Sequence, residues 1–193
     1  MSVDMLNVNL SDEMLHEVHG KDDYYWYLRS EQFVDTFLRP VAALVNCYGD
    51  PVLDVGCGEG VLASLTNVPY VGIDGSGSAV SKAFKRHPRG IYYQNRIEDP
   101  CIVGEFPTVV MSGILEVLIK PERRVDFMEM YRERFKTKRF IVCDLERLDE
   151  SAITVRYGWP TIWKSCMAAD PFDGSIIEDV KRFRKIIVWE VKP

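Results

Sequence analysis

Residues 51–60 place an aspartate and three glycines where they could hold a small ligand. The string reads Pro-Val-Leu-Asp-Val-Gly-Cys-Gly-Glu-Gly, and an apolar run follows at 61–63. This pattern predicts a strand, a tight turn and the start of a helix. Gly56, Gly58 and Gly60 would let the backbone adopt left-handed or crowded conformations and let a ligand approach it. Free N–H groups at the start of the helix would face that ligand.

The spacing of the glycines restricts the kind of ligand. The fingerprint of dinucleotide-binding proteins has glycines at its first, third and sixth positions. Here the sixth position is Val61, and the third glycine, Gly60, comes one residue early. The spacing therefore disfavours a nicotinamide-dependent oxidoreductase.

Three alternate glycines after an Asp-bearing strand resemble motif I of the class I S-adenosylmethionine-dependent methyltransferases. In that family the loop packs against the methionine part of the cofactor. The resemblance implies a cofactor site built in part from this string. Its members would be Asp54, Gly56, Cys57, Gly58 and Gly60. Asp54 would orient the loop or receive the methionine ammonium, and a buried Asp satisfied by loop N–H groups is an equal alternative.

A second landmark follows within one βαβ unit. Residues 68–73 form a short β-rich run that ends in Asp74, and Gly75 comes next. An acidic residue at the tip of the second strand can accept hydrogen bonds from both hydroxyls of a ribose. We therefore expect Asp74 and Gly75 to lie at the ribose of the cofactor.

Two more landmarks continue the resemblance. Residues 96–99 resemble the family's loop after the third strand, which implies that Ile97 and Glu98 lie at the adenine, with a surface turn as the alternative. Residues 112–118 resemble the family's fourth-strand segment, with Ser112 at a strand end where open α/β sheets bind ligands.

The catalytic group is not assigned by these motifs. Methyl transfer from a sulfonium mainly requires alignment, and a general base helps only when the acceptor must lose a proton. Glu116 matches the Glu of the fourth-strand segment, but Val117 stands where many relatives have His. His19 and Tyr24 are further weak candidates, with a solvated or packed surface position as the alternative.

An aromatic segment near the N-terminus is the other candidate contact. Residues 22–29 contain four consecutive aromatic side chains and end in Arg29. Arg29 would pair with the methionine carboxylate, as similar residues do in small-molecule members of the family. The alternative is an amphipathic segment packed on the sheet.

Alternating elements predict the fold class as α/β. Strands are expected near 51–55, 69–74, 90–94, 108–112 and 139–145, with helices near 59–66, 77–86 and 121–135. Such alternation predicts a parallel sheet between two helical layers. Residues 175–181 and 184–191 should form an antiparallel hairpin, which completes a seven-stranded, mostly parallel sheet in a three-layer α/β/α sandwich.

The remaining chain positions complete the expected organisation. Apolar residues at helical spacing over 33–45 are interrupted by Pro40, which predicts either one kinked helix or two abutting ones. We expect one methyltransferase-like domain over 1–193, with a helical cap at 1–48 and a Rossmann-like core at 49–193. The family resemblance implies that residues 158–173 contribute to the acceptor pocket, with core packing as an equal alternative.

The composition of the chain indicates which partners and which cellular compartment to expect. The net charge of −5 disfavours nucleic acid as the main partner. The five cysteines show neither zinc nor disulfide spacing, so we expect no metal site and a cytoplasmic location. No membrane span is expected.

We therefore expect transfer of a methyl group from S-adenosylmethionine to a small-molecule acceptor. The alternative is an inactive regulatory or partner subunit that binds S-adenosylmethionine. The oligomeric state is left open.

Overall fold

A seven-stranded sheet forms the centre of the molecule. The computed structural model describes residues 31–116, 118–145, 148–157, 160–164 and 184–191. The strands are β1 Val52–Val55, β2 Tyr70–Asp74, β3 Ile91–Gln94, β4 Thr108–Ser112, β5 Arg139–Leu145, β6 Pro160–Lys164 and β7 Arg184–Glu190. Their order across the sheet is β3-β2-β1-β4-β5-β7-β6.

The direction of the strands confirms the predicted sheet. Neighbours among β1 to β5 are parallel, whereas β7 is antiparallel to both β5 and β6. The partner of the final strand differs from the expectation. At the described positions the second neighbour of β7 is β6, at 160–164, a stretch expected in the acceptor pocket. Residues 175–181, predicted as that partner, lie outside the described residues.

Helices cover both faces of the sheet. They are α1 Arg39–Tyr48, α2 Gly77–Arg86, α3 Arg124–Phe135 and α4 Ser151–Tyr157. A helical turn at Glu31–Phe33 and a π-helical stretch at Val34–Leu38 lead into α1, and 3₁₀ turns occur at Val61–Ser64 and Pro121–Arg123. The sequence did not predict α4.

The predicted irregularity near Pro40 takes the form of the π-helical stretch. The N–H of Arg39 donates to the carbonyl of Val34, five residues earlier. Pro40 follows directly and has no N–H to donate, so the wider turn ends where the proline begins α1. Gly49 ends α1 in a left-handed conformation, with φ 73°.

Each face of the sheet has its own apolar core. On one face the aromatic side chains of α3 and α4 pack against alternate strand residues. This core includes Leu53, Met111, Phe127, Tyr131, Phe135, Phe140, Tyr157 and Trp189. On the other face α1 and the segment before it pack against the intervening strand residues. That core includes Phe33, Phe37, Val41, Val45, Val52, Tyr70, Val110, Ile141 and Val188. The three-layer arrangement is therefore confirmed.

The helix predicted at 59–66 is reduced to a single 3₁₀ turn, Val61–Ser64. The side chain of Asn46 in α1 explains why it stops: its Nδ2 donates to the carbonyl of Leu65 (3.1 Å) and its Oδ1 accepts from the N–H of Asn67 (2.8 Å). These bonds capture backbone groups that a longer helix would need. The expected length of this helix is therefore wrong, and only one turn remains to present free N–H groups beside the glycine loop.

In the part of the chain that the structure describes, no helix has the length and apolar character needed to cross a membrane.

Candidate functional site

The candidate site lies where the strand order reverses. Successive strands run outward from β1 through β2 to β3, and the chain then returns to place β4 on the other side of β1. The carboxyl ends of β1, β2 and β4 therefore meet at the point where open α/β sheets bind ligands. The glycine loop follows β1 at this point, and Asp74 is the last residue of β2.

All three loop glycines have positive φ, with 71° at Gly56, 52° at Gly58 and 74° at Gly60. Two of them are required by packing. A Cβ on Gly56 would lie 2.2 Å from Cδ1 of Ile114, and one on Gly60 would lie 2.8 Å from the ring of Tyr92. A Cβ on Gly58 would have no heavy atom of the described residues within 4 Å. Gly58 therefore faces a space that a ligand could fill.

Asp74 joins the loops that follow β1 and β2. Its Oδ2 accepts from the N–H of Gly58 (2.9 Å), and its Oδ1 accepts from the N–H of Ser76 (2.8 Å). The residue is buried, with 8% of its surface exposed. A carboxylate offers about four acceptor positions, so lone pairs remain for a ligand hydroxyl. Gly75, predicted beside it, is half-buried between these two contacts.

Asp54 lies beneath the glycine loop on the face of the sheet covered by α1. Its Oδ2 accepts a 2.5 Å hydrogen bond from the hydroxyl of Tyr70. Burial raises the pKa of Asp54 from an ordinary 3.8 to about 7, against the opposing effect of the Tyr70 bond, and the charge of Asp74 adds to the rise. Cys57 is also buried there, and burial raises the pKa of its thiol. The sequence did not identify Tyr70 as the partner of Asp54.

Glu59 fixes the glycine loop to α2. Its side chain is only 8% exposed, and its carboxylate pairs with Nζ of Lys82 at 3.5 Å and with Arg86. The sequence attached no role to Glu59, because the two cations are more than twenty positions away.

The loop expected at the adenine begins beside Asp74. The N–H of Asn95 donates to the carbonyl of Asp74 at 2.9 Å. Ile97 is buried, whereas Glu98 is exposed. The hydroxyl of Tyr131 in α3 donates to the carbonyl of Ile97 at 2.6 Å. The structure therefore places the ribose and adenine candidates next to each other.

The loop after β4 is held by two buried charged residues. The N–H of Glu116 donates to Oδ2 of Asp144 at 3.0 Å. Nε of Arg124 donates to the carbonyls of Leu115 (2.8 Å) and Ile119 (3.2 Å). Burial lowers the pKa of Arg124, and the charges of Glu116 and Asp144 oppose that change.

Ser112 is the last residue of β4, and the chain turns at Gly113, which has φ 70°. The N–H of Gly113 donates to the carbonyl of Cys143 at 2.9 Å. Arg29, His19 and Tyr24 lie outside the described residues. The structure thus brings together the predicted loops after β1, β2, β3 and β4 at one end of the sheet.

Three buried polar residues at this end were missed. Asp144 lies one residue before the end of an apolar strand, close to the position that Asp74 has in β2, so a similar sequence signal could have identified it. Arg124 and Tyr131 sit in a helix whose pattern indicates only an element packed on the sheet.

The chain is similar to several solved methyltransferase structures. Its sequence matches no protein-family model, and no curated protein matches it. The N-methyltransferase NodS from Bradyrhizobium japonicum WM9, solved with S-adenosyl-L-homocysteine, aligns with a TM-score of 0.70 at 13% identity, over 94% of this chain and 98% of that chain.

Two further methyltransferase structures also align with this chain. Magnesium protoporphyrin IX methyltransferase (ChlM) from Synechocystis PCC 6803, with bound S-adenosylhomocysteine, gives a TM-score of 0.62 at 13% identity, over 94% and 100% of the two chains. The methyltransferase domain of bacterial CtHen1-C gives 0.60 at 17% identity, over 83% of this chain and 100% of that one. The protein therefore has the fold of the class I S-adenosylmethionine-dependent methyltransferases.

Proposed function

We propose that this protein binds S-adenosylmethionine at the carboxyl ends of β1, β2 and β4 and transfers the methyl group to a small-molecule acceptor. The observation that carries the proposal is the pair formed by Asp74 and Gly58. A buried carboxylate at the tip of β2 lies 2.9 Å from the N–H of the one loop glycine that faces open space. A ribose diol fits the carboxylate, and an amino acid moiety fits the open side of the loop.

The other predicted residues have roles consistent with this placement. Gly56, Cys57 and Gly60 shape the loop, and Asp54 lies beneath it. Ile97 and Glu98 would face the adenine from the loop that begins beside Asp74. Ser112 would line the opposite side of the crevice, and Arg29 would bind the methionine carboxylate.

The bound cofactor would supply an activated methyl group on a sulfonium. The chain's own contribution is then to hold the acceptor in line and to exclude water. The loop after β4 is suited to this because Asp144 and Arg124 fix its backbone from below. Glu116, together with His19 and Tyr24, remains the candidate group for accepting a proton from the acceptor.

We further propose that residues 1–48 form a cap on a single domain and that the protein works in the cytoplasm. The described end of the cap, from Glu31 to Tyr48, packs on a face of the sheet. Cys47, Cys57, Cys101 and Cys143 are free thiols, which supports a reducing compartment.

Calorimetric titration with S-adenosylmethionine and S-adenosylhomocysteine tests the binding step. Binding of both, and no binding of NADH, is expected; failure to bind either ligand would overturn the proposal. Transfer of a radiolabelled methyl group to a panel of amines, carboxylates, phenols and hydroxyl compounds tests the reaction. Tight binding without turnover on the whole panel would instead favour the regulatory or partner subunit.

A further inference from the structure

The buried hydroxyl of Tyr131 supports the loop that would contact the adenine base. Tyr131 lies in α3 with 0% of its surface exposed, and its hydroxyl donates to the carbonyl of Ile97 at 2.6 Å. The bond joins residues 34 positions apart. Through this bond α3 contacts the loop that follows β3.

The ring of Tyr131 is held in place on both sides. Its centroid lies 5.1 Å from that of Phe127 and 5.6 Å from that of Phe135, on the same helix. Packed aromatic side chains of this kind have few alternative rotamers. The position of the hydroxyl, and with it the position of the Ile97 carbonyl, is therefore set by the apolar core.

The loop has a second fixed point at its start. The N–H of Asn95 donates to the carbonyl of Asp74 (2.9 Å), and the Oδ1 of Asn95 accepts from the N–H of Cys101 (2.7 Å). Between these points the loop is held at Ile97, where the side chain packs in the core and the carbonyl accepts the bond from Tyr131.

The surroundings of Tyr131 keep it a donor. Burial raises the pKa of its hydroxyl, the charge of Glu98 adds to the rise, and Arg134 opposes it. Arg134 also approaches Asp99, at 3.9 Å, but both side chains are largely exposed and contribute little.

We infer that Tyr131 is a positioning residue that sets the loop at Ile97 and Glu98 and so determines how strictly the site selects adenine, an inference that rests on the proposed binding of S-adenosylmethionine. Without the hydroxyl, the Ile97 carbonyl has lost its buried donor and must turn toward water. That movement carries Glu98 with it. The ribose and amino acid contacts, on the loops after β1 and β2, do not depend on this bond.

The test compares S-adenosylhomocysteine with S-inosylhomocysteine, which differs at the exocyclic position of the base. Wild-type protein should prefer the adenosyl ligand. The preference is the dissociation constant of S-inosylhomocysteine divided by that of S-adenosylhomocysteine. Tyr131→Phe should lower this ratio by about tenfold, the scale of one lost buried hydrogen bond. Tyr157→Phe is the matched control, because the Tyr157 hydroxyl is buried without a hydrogen-bond partner among the described residues. Its ratio should stay at the wild-type value.

A double-variant cycle makes the assignment specific. If Tyr131 acts through Glu98, then Tyr131→Phe combined with Glu98→Ala should discriminate no worse than Glu98→Ala alone. A Tyr131→Phe ratio equal to that of wild type overturns the inference, and so do additive losses in the cycle. Wild-type protein that binds neither ligand overturns the proposed function as well, so the two failures are distinguishable.

A measurement on the wild type covers the case in which Tyr131→Phe does not fold. The ring signals of Tyr131 and the amide signals of Ile97 and Glu98 should shift together during NMR titration with S-adenosylhomocysteine. S-inosylhomocysteine should produce a smaller change in this group of signals. The inference would be contradicted if the adenosyl ligand shifted the amide signals of Ile97 and Glu98 but left the ring signals of Tyr131 unchanged.

Discussion

The hydroxyl of Tyr70 donates a 2.5 Å hydrogen bond to Asp54, and both residues are buried beneath the glycine loop. A buried carboxylate whose pKa is raised from 3.8 to about 7 binds a proton more tightly when the protein is folded. The ionisation of Asp54 therefore makes the stability of the protein depend on pH.

The sign of that dependence follows from proton binding. Between about pH 4 and pH 7 the folded chain retains the Asp54 proton that the unfolded chain has lost, so the free energy of unfolding falls as the pH rises. The rise in pKa corresponds to about 4 kcal/mol. We expect Asp54→Asn to gain about this much stability relative to wild type between pH 4 and pH 8, in urea unfolding at each pH. Parallel curves for the two proteins would contradict the assignment.

Tyr70→Phe gives an independent check. The Tyr70 bond favours the charged form of Asp54, so its loss should raise the pKa of Asp54 further. The pH at which stability stops falling should then move upward.

Gly58→Ala should weaken binding of S-adenosylhomocysteine by at least about tenfold, because the new methyl group enters the space assigned to the ligand and the left-handed backbone costs about 1–2 kcal/mol. Gly49→Ala is the matched control. Gly49 also has positive φ and would place its Cβ in open space, but it precedes β1 at the other end of the strand. Both variants should lose similar stability in thermal unfolding, and only Gly58→Ala should lose affinity in calorimetry. Equal affinities would place the ligand away from the loop.

Asp74→Ala should weaken binding of S-adenosylhomocysteine by about 1–3 kcal/mol, since a polar partner is left unpaired. It should also lower the free energy of unfolding, because the N–H groups of Gly58 and Ser76 lose their acceptor. An analogue without the two ribose hydroxyls separates these effects. The difference between wild type and Asp74→Ala should shrink with that analogue, and a difference as large as with S-adenosylhomocysteine would show that Asp74 acts only through the loop.

Glu59→Gln should weaken binding of S-adenosylhomocysteine by about threefold to tenfold, because the glycine loop loses its ionic attachment to Lys82 and Arg86. Glu129→Gln is the control, since Glu129 also pairs with two cations, here Arg132 and Arg156, but away from the loop. Both changes remove the charge of a carboxylate that pairs with two cations, so both should lower the free energy of unfolding. If the control weakened binding as much as Glu59→Gln, the attachment would have no specific role.

Local sequence predicted the elements that depend on local signals. The helix expected at 77–86 is found at Gly77–Arg86, because Ser76 caps it and accepts from the N–H of Ala79. The strand expected at 69–74 is Tyr70–Asp74, ending at the predicted carboxylate. Parallel pairing then brings the strand ends together without further information.

Contacts between distant side chains account for most of the differences. Asn46 shortens the helix expected at 59–66, and the residues of that stretch do not themselves indicate this contact. The bond from Tyr131 to Ile97 and the pairing of Tyr70 with Asp54 likewise join separate elements. The helix α4 is a different case, because Asp149 accepts from the N–H of Ser151 and is a start signal that could have been read.

The position of β7 between β5 and β6 has a consequence for biosynthesis. The ribosome delivers β5 and β6 first, yet β6 cannot join the sheet until residues 184–190 have emerged to pair with both strands. During that interval the backbone of β5 stays unpaired along one side, and the apolar surface that Trp189 will cover is open to other chains. Nascent chains of this protein should therefore need the most protection from chaperones until residues 184–190 have left the ribosome.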